Sequence, residues 1–526
     1  MTRRPIAGLL FCWLVGTASG ARIAAPDVNI LAGSIVFLLS AMLFSGLDRS
    51  RKHPVIGHAA MYAGILLLAC FNASLKSVEP QNNLFHDWSA KQQVRITGVV
   101  AGSVRSRRVA GGTRQMSLFS VKVKSFNGAD QHRPFPRMEV SLFSYPSEKQ
   151  PRSGQTWALK GDYGRKETKG RSFGPRLTAD MRDCRIISDE TRFSYIRWCR
   201  KMRGAASRKL SIGIEEHETV INILNAIVLG YREQLPDQSE KLFAAVGTLH
   251  IFAVSGLHVG IIAMFLIFIF KAMKLPRYTW ILLMAPLLVT YTVITGVRAS
   301  AVRACIMALV YYAAPFIRRR SDAASAVAAA ALLILAASPG QLFEIGFIYS
   351  FIVVTGLILI YPLFYAPLHR MTAPDPFRIQ PERKSVTWIR TAARRAASLI
   401  AVSWAAWISS APLTAYYFGR FSPIALLSNI VVVPLAFFIV LTGCLSVLLG
   451  SCLNVFSEIF NYANLGLVSG LLWFADKMNS VPFGSMTAEK PGLGWVLLWY
   501  TAIIACCLYF RIDMRTRSLD RPEIEC

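Results

Sequence analysis

The chain has 526 residues, of which 53% are hydrophobic and 17% are charged, and its mean hydropathy is +0.41. Soluble globular domains contain about 45–50% apolar and about 25% charged residues. The composition therefore excludes a soluble enzyme and a disordered chain, and it indicates an integral membrane protein. The 58 Lys and Arg outnumber the 30 Asp and Glu, and the net charge of +28 predicts contact with a polyanion, either lipid headgroups or nucleic acid.

Three apolar segments predict a first domain of three membrane helices over residues 1–75. Each has about 20 residues, which is the length that crosses a bilayer. The segments are Ile6–Ala25, Val28–Leu47 and Pro54–Leu75. The first also fits a cleaved signal peptide, because Arg3 and Arg4 precede it and small residues follow it. A second span directly behind it favours a retained helix.

A polar stretch at residues 76–217 carries 28 Lys and Arg against 13 Asp and Glu, a net charge of +15. Within residues 76–190, apolar and polar side chains alternate in five runs that are separated by Gly- and Pro-rich turns. This pattern predicts a small antiparallel barrel, an OB-like domain of the kind that binds single-stranded nucleic acid. The expected strands are Gln93–Ala101, Met116–Lys124, Arg137–Ser144, Thr156–Asp162 and Arg182–Ile187.

Basic residues of this domain are the candidate contacts to a DNA backbone, because Lys and Arg neutralise phosphates. They lie in two predicted basic turns and on one face of the second strand. The candidates are Arg105, Arg107, Arg108, Lys122, Lys124, Arg165 and Lys166. The alternative is that this charge serves only solubility.

Residues 191–217 predict a basic helix that lies at a membrane surface. Arg and Lys alternate there with Phe193, Ile196, Trp198 and Met202, which gives the mixed basic and apolar surface of an interfacial helix. The expected partner is the membrane lipid headgroups, with nucleic acid as the alternative.

The following residues 218–510 predict a membrane domain with nine spans, for about 12 in the whole chain. The spans are expected at 249–270, 278–297, 300–317, 323–337, 342–364, 396–418, 423–449, 455–475 and 492–510. Thr219–Gly230 is too short to cross and predicts a re-entrant or interfacial segment. The expected fold class is a polytopic α-helical membrane protein with an inserted small all-β, OB-like external domain.

Basic loops predict the orientation, because Lys and Arg are retained on the cytoplasmic side. With twelve spans, Arg3 and Arg4, Arg318–Arg320 and the basic tail 511–526 fall inside. The β domain then lies on the external, periplasmic side of the inner membrane. A missed half-helix near residues 219–245 would invert everything that follows it.

Four polar clusters interrupt the apolar spans, at residues 247–260, 295–304, 338–347 and 411–434. Polar groups at membrane depth normally face a bundle interior or an aqueous path, and Gly and Pro beside them permit broken helices. We therefore expect these clusters to line a pore. The candidate lining residues are His250, Ser255, Gly256, His258, Arg298, Arg303, Glu344 and Asn429. The alternative is that the two arginines lie at an interface and extend to water.

The segment His250–Gly260 (HIFAVSGLHVG) resembles the signature of the ComEC-type competence proteins. Ala226–Gly230, Thr295–Ala308, Gly346–Phe351 and Phe418–Pro434 are similar to further segments of that family. The resemblance covers nearly the whole chain. It implies an inner-membrane channel, not an enzyme, that passes one strand of transforming DNA into the cytoplasm, with an OB-like domain that guides the strand.

The chain departs from that family pattern at two places. Many relatives carry a C-terminal metallo-β-lactamase-like domain, whereas this chain ends about 16 residues after its last predicted span and none of its eight histidines forms an H-x-H pair. We expect no metal, no cofactor and a separate nuclease partner. Ile348 and Tyr349 stand where relatives usually have Gln and Leu, which removes a polar group from the expected pore lining.

Three other functions compete with the channel. A secondary transporter of a small anionic or lipid-like solute fits the broken helices but leaves the basic external domain unexplained. An intramembrane protease fits Ser255 and His258, which are three residues apart, although such pairs more often serve helix packing. An ATP-driven pump is disfavoured because the chain has no G-x-x-x-x-G-K-[ST] motif, so a DNA motor would be a separate cytoplasmic protein.

Overall fold

The computed structural model of the protein covers two compact units, Val78–Trp198 and the flanking segments Met1–Ser77 and Cys199–Cys526 together. The described residues are 5–21, 34, 54–77, 92–108, 115–126, 129–130, 137–145, 151, 155–168, 171–188, 195–372, 384–482, 484–487 and 490–519. The predicted span Val28–Leu47 lies outside them apart from Ser34, so the structure leaves it a prediction.

Six strands are described in the unit Val78–Trp198, which we call the β unit. They are β1 (Gln92–Arg108), β2 (Gln115–Phe126), β3 (Ala129–Asp130), β4 (Arg137–Ser144), β5 (Thr156–Thr168) and β6 (Arg171–Ser188). Each of the five predicted strands overlaps one of these, and the two-residue β3 was not predicted. Four strands, β1, β2, β5 and β6, are longer than predicted. Backbone pairing continues β1 and β5 into polar sequence that has no apolar alternation, and β6 begins 11 residues before its predicted start.

Five of these strands close into a ring. The order runs β1-β5-β6-β4-β2, and β2 pairs again with β1. The prediction of a purely antiparallel barrel was wrong at one seam, because β4 and β6 run parallel, with Val140 opposite Leu177. The reason is topological: β5 pairs with β1, so the returning β6 fills the gap between β5 and β4 and runs in the direction of β4.

The interior of this ring is apolar. Ile96, Val121, Met138, Trp157 and Leu177 have no exposed surface and belong to one continuous cluster. The single polar group of the Trp157 side chain is satisfied, since its Nε1 donates to the Gln155 Oε1 at 3.0 Å. Burial of such side chains contributes roughly 2 kcal/mol each, and it explains why the alternation in the sequence located these strands.

Fourteen α-helices are described in the chain. They are α1 (Pro5–Gly20), α2 (Pro54–Ser77), α3 (Tyr195–Ser211), α4 (Glu218–Leu229), α5 (Asp237–Ala245), α6 (Gly256–Ala272), α7 (Trp280–Ile294), α8 (Ala299–Ala313), α9 (Ala323–Ala337), α10 (Ile345–Met371), α11 (Lys384–Phe418), α12 (Ala425–Gly450), α13 (Asn454–Asn479) and α14 (Leu493–Leu519). Short 3-10 helices lie at Arg232–Gln234, Leu249–Phe252 and Pro339–Phe343, and β7 (Arg420–Phe421) pairs with β8 (Met486–Thr487).

Among the described residues, four helices are long and apolar enough to cross a membrane. They are Ile345–Met371, Ser385–Phe418, Ala425–Gly450 and Leu493–Phe510. Each coincides with a predicted span. The chain is therefore mostly helical with several membrane-length helices and a small β unit.

The other predicted spans correspond to shorter or more polar helices. α7, α8 and α9 have 15 residues each and α6 has 17, and at 1.5 Å per residue a 15-residue helix covers about 22 Å of a roughly 30 Å apolar layer. α13 has 26 residues, but it contains the buried polar residues Ser457, Asn461 and Asn464, and such residues lower its mean hydropathy. The count of about 12 spans stays a prediction.

The other unit, Met1–Ser77 with Cys199–Cys526, is called the helical unit. The short helix α4 lies in the largest apolar cluster of this unit. Its Ile223, Leu224 and Ile227 have no exposed surface and pack with residues of α12 and α13. Gly443 of α12 permits this approach, because a Cβ there would lie 2.7 Å from the Val228 Cγ2. The length of Thr219–Gly230 was predicted correctly, and its re-entrant or interfacial position remains a prediction.

The end of α3 is joined to α12 and α13 by reciprocal hydrogen bonds. The Lys209 Nζ donates to the Gly450 carbonyl, the last of α12, at 2.8 Å. In return, the Asn461 Nδ2 of α13 donates to the Lys209 and Ile212 carbonyls, both at 2.8 Å. A side chain of α3 thus satisfies the end of α12, and a side chain of α13 satisfies the end of α3. The described part of the predicted basic helix 191–217 is α3 itself, which ends at Ser211, earlier than predicted.

Candidate functional site

The loop before α6 places Ser255 and His258 in a reciprocal cap. The Ser255 Oγ accepts a hydrogen bond from the Leu257 N–H at 3.3 Å, and the Ser255 N–H donates to the His258 Nδ1 at 3.2 Å. Because Nδ1 accepts, the ring proton belongs on Nε2, which is buried without a partner. His258 has no exposed surface. The pair therefore starts a helix, with His258 fully buried and Ser255 partly exposed.

Arg298 lies at the start of α8 and bonds two groups that follow α4. Its Nη2 lies 2.6 Å from the Glu233 Oε1 and 3.2 Å from the Gly230 carbonyl oxygen. Gly230 ends α4 with a φ of 74°, which glycine adopts without strain. The Arg298 and Glu233 side chains are 29% and 31% exposed, so this ion pair is partly open to water.

A second arginine, Arg203 of α3, reaches the same end of α4. Its Nε donates to the Leu229 carbonyl at 3.0 Å, and its guanidinium carbon lies 3.7 Å from the centre of the Tyr231 ring. Burial lowers the pKa of Arg203; Tyr231 and Glu233 oppose this shift, and the nearby Arg298 adds to it. Two guanidinium groups thus converge on the carbonyl end of α4, which carries partial negative charge.

Arg303, one turn into α8, is buried and bonds the start of α10. It is 4% exposed, and its Nη2 donates to the Gly346 carbonyl at 2.8 Å. Its Nε and Nη1 are buried without a hydrogen-bond partner. Glu344 is exposed and acts on it electrostatically. Arg303 is therefore a buried cation that is only partly satisfied.

The four polar clusters meet one another. The Ser300 Oγ donates to the Val254 carbonyl at 2.6 Å and joins the second cluster to the first, and the bond from Arg303 to Gly346 joins the second to the third. The fourth meets the first at Gly247, where a Cβ would lie 2.7 Å from that of Ala425. Each cluster directly precedes or contains a helix start. The two hydrogen bonds join the starts of α6, α8 and α10, while the start of α12 lies beside Gly247, nine residues before α6.

The remaining predicted pore residues differ in exposure. His250 and Gly256 are exposed, whereas the Oδ1 of Asn429 is buried without a partner.

Three residues at this site were not predicted from the sequence. Arg203 was assigned only to the basic helix 191–217, and Tyr231 and Glu233 were given no role. Their convergence depends on the packing of α3 against α4, which no local pattern encodes. The available signal was Gly230, a glycine that ends a short helix directly before an aromatic and an acidic residue.

Five of the seven predicted DNA contacts lie in two hairpin arms, which corrects their assignment to turns. The β1–β2 arm (described at residues 102–108 and 115) holds Arg105, Arg107 and Arg108, and the β5–β6 arm (described at residues 163–168 and 171–176) holds Arg165 and Lys166. The described residues of the two arms contain seven Lys and Arg and one Glu. The register of β1 shifts between Ala101 and Arg105, an irregularity that bends a strand where the arm begins.

The other two predicted contacts lie within the ring. Lys122 and Lys124 are on β2, at positions that alternate with the buried Val121 and Val123. Alternate positions of a strand belong to opposite faces of the sheet.

The described residues contain no group of three His, Cys, Asp or Glu that could hold a metal ion. A cavity of about 700 Å³ is lined by Asp237, Glu240, Arg420 and Ile424, among others. None of the eight predicted pore residues lines it.

The helical part of the chain is similar to a known protein family. A family model described as Competence protein matches residues 227–512, more than half of the chain. ComE operon protein 3 of Bacillus subtilis (strain 168) is 30% identical over 239 residues. The match covers 45% of this chain and 28% of the length of that relative. No solved structure matches.

Proposed function

The chain belongs to the Competence protein family, and from this we propose that it acts in DNA uptake, as an inner-membrane channel for single-stranded transforming DNA. The observation that carries the proposal is that side-chain hydrogen bonds join the starts of three helices, α6, α8 and α10, in the matched region. Helix N-termini carry positive partial charge and unpaired N–H groups, which suit a phosphate backbone.

The arginines of this region suit passage better than tight binding. Arg298 is engaged by Glu233 and Gly230, and Arg303 by Gly346, so neither offers its full charge to a strand. Conduction requires contacts that are favourable but weak. The pore in this proposal is lined by the four clusters, including His250, Ser255, Gly256, His258, Glu344 and Asn429.

The β unit is proposed to be an OB-like domain that receives the strand. Support comes from the five-stranded ring in which β6 returns between β4 and β5. OB-folds bind oligonucleotides with the loops between their first and second and between their fourth and fifth strands. The two basic arms occupy these two places, since β1–β2 and β5–β6 are those strand pairs.

The arrangement in the membrane completes the proposal. The chain would cross the inner membrane about 12 times, with the β unit on the periplasmic side and α3 on the lipid surface. Trp198, Met202, Arg200 and Lys201 of α3 are all exposed, as an interfacial helix requires. A DNA motor and a nuclease would be separate proteins, and the chain itself would not be an enzyme.

The first test is transformation. The gene is deleted in a host that takes up DNA, chromosomal DNA with a selectable marker is supplied, and transformants are counted against the parent and a complemented strain. We expect transformants to vanish and to return on complementation, while DNA binding at the cell surface persists. Normal transformation of the deletion strain would overturn the channel and favour the transporter of a small anionic or lipid-like solute.

The second test addresses the proposed pore. Arg298→Ala should reduce uptake at least tenfold at an unchanged protein level, because it removes a cation beside the converging helix ends. Arg232→Ala is the matched control, since Arg232 lies in the same segment and pairs with Glu240 at 2.7 Å. Equal uptake by Arg298→Ala and the parent, at equal membrane insertion, would remove Arg298 from the mechanism.

A further inference from the structure

Glu233 is the acidic member of the cluster at the end of α4. Its Oε1 lies 2.6 Å from the Arg298 Nη2, and it also attracts Arg203. The two arginines bond the Gly230 and Leu229 carbonyls, so both are held at this helix end. Within this set of residues two guanidinium groups share one carboxylate, which leaves one positive charge uncompensated.

The Glu233 carboxylate accepts a hydrogen bond from the Arg298 guanidinium, which is the donor that a phosphate would also use. Carboxylate and phosphate oxygens both accept hydrogen bonds from a guanidinium, so they compete for the same N–H donors. The pair is partly exposed, at 29% and 31%, and water and salt weaken an ion pair of this kind. An incoming phosphate can therefore displace Glu233 from Arg298, and Glu233 can rebind when the phosphate leaves.

We propose that Glu233 is an internal competitor for Arg298 and sets how long the pore holds a DNA phosphate. This inference rests on the proposed function, because it assumes that a phosphate backbone passes Arg298. It assigns a role in affinity to a residue with no expected part in DNA contact. A Glu233 that merely fixed the turn after α4 would affect stability and leave DNA affinity unchanged.

The test measures DNA binding by the full chain in lipid nanodiscs, with a fluorescent single-stranded oligodeoxynucleotide as the probe. Glu233→Gln removes the charge and keeps the shape. We expect it to bind the probe about three- to fivefold more tightly at low salt, mainly through slower dissociation. The matched control is Glu240→Gln, which breaks the neighbouring Arg232–Glu240 pair of 2.7 Å and should bind like the parent.

A double-mutant cycle isolates the competition. In an Arg298→Gln background, Glu233→Gln should no longer raise affinity, because the contested guanidinium is gone. Glu233→Asp, which keeps the charge, should stay close to the parent. Thermal unfolding of each variant checks folding, and Glu233→Ala serves as a second variant with the same expected gain.

Three results would overturn the inference: unchanged affinity in Glu233→Gln and Glu233→Ala, an equal gain in Glu240→Gln, or a gain that persists in the Arg298→Gln background. The failure of the inference is distinguishable from that of the proposed function. If Arg298→Ala reduces uptake but Glu233→Gln binds like the parent, the inference alone fails. If Arg298→Ala takes up DNA normally, Arg298 has no part in passage and the inference falls with that step.

Discussion

The β unit and the helical unit differ in how far their positive charge is compensated by neighbouring groups. The ring of the β unit has an apolar interior, and the described residues of its two arms hold seven Lys and Arg and one Glu. In the helical unit, Arg303 is buried and Arg298 is paired. Basic residues with few acidic neighbours favour capture of a polyanion. Arginines that already bond carbonyls or carboxylates favour its release.

This difference bears on how affinity depends on salt. Each phosphate that a basic side chain neutralises releases counterions, so capture by the arms should weaken steeply as salt rises. Arginines that already have partners within the protein should lose less affinity for DNA as salt rises, because the protein itself supplies the competing charge. The two regions therefore predict separable contributions to binding, and variants can test each in turn.

The largest expected effect is in the arms. Replacing Arg105, Arg107, Arg165 and Lys166 by Gln should weaken binding of a single-stranded oligonucleotide about 10- to 100-fold and reduce the slope of log affinity against log salt by about 3. Fluorescence anisotropy over a salt series measures both quantities.

A matched control carries the same charge loss outside the arms. It replaces Arg95, Lys160, Arg182 and Arg185 by Gln, all of which are exposed on the strands of the β unit. We expect a clearly smaller loss of affinity. An equal loss in both variants would mean that net charge, and not the arms, captures DNA.

The second effect concerns packing between membrane-length helices. A Cβ at Gly356 of α10 would overlap the side chain of Ser409 of α11, so Gly356→Ala should destabilise the helical unit by about 1–3 kcal/mol. Gly470→Ala of α13 is the control, because a Cβ there has no neighbour within 4 Å. Thermal unfolding in detergent compares the two, and similar losses would contradict the close packing of α10 on α11.

The third effect separates stability from function at a buried cation. Arg303→Met should change the free energy of unfolding by less than about 1 kcal/mol or increase it, because Nε and Nη1 of Arg303 are buried without partners. The same variant should reduce DNA uptake in the transformation assay. A strongly destabilised variant would show that the bond to Gly346 is a structural requirement.

The smallest effect tests the closed interior of the β unit. Burial raises the pKa of Cys184 to about 11, and the thiolate is the reactive form, so at pH 8 roughly one thiol in a thousand is reactive. N-ethylmaleimide should label the exposed Cys452 well before Cys184, and mass spectrometry of peptides resolves the two. Equal labelling would indicate that the ring opens readily.

Local patterns predicted most of the β unit and little of how its strands pair. Alternation located β1, β2, β4 and β5 because residues such as Ile96 and Leu159 face the core, whereas the prediction for β6 covered only its last part and left out the buried Leu177. The parallel seam between β4 and β6 was missed, since the choice of a partner strand depends on the whole ring. The arms were missed because backbone pairing continues there without apolar alternation.

In the helical unit, hydropathy found the apolar segments but misjudged where several helices start. α6 begins at Gly256, seven residues after the start of the predicted span at 249, because the Ser255 side chain caps the helix. The string around Ser255 and His258 indicated a family resemblance, but its role in capping α6 is visible only in the three-dimensional structure. Glu233 was missed because its partner Arg298 is 65 residues away in the sequence.

The reciprocal bonds at the end of α3 have a consequence for local unfolding. Lys209 closes the end of α12, and Asn461 of α13 closes the end of α3, so fraying of the α3 end also releases the last carbonyl of α12. The α12 end should therefore open whenever the α3 end opens, and its amides should exchange hydrogen for deuterium at least as fast as those of the α3 end.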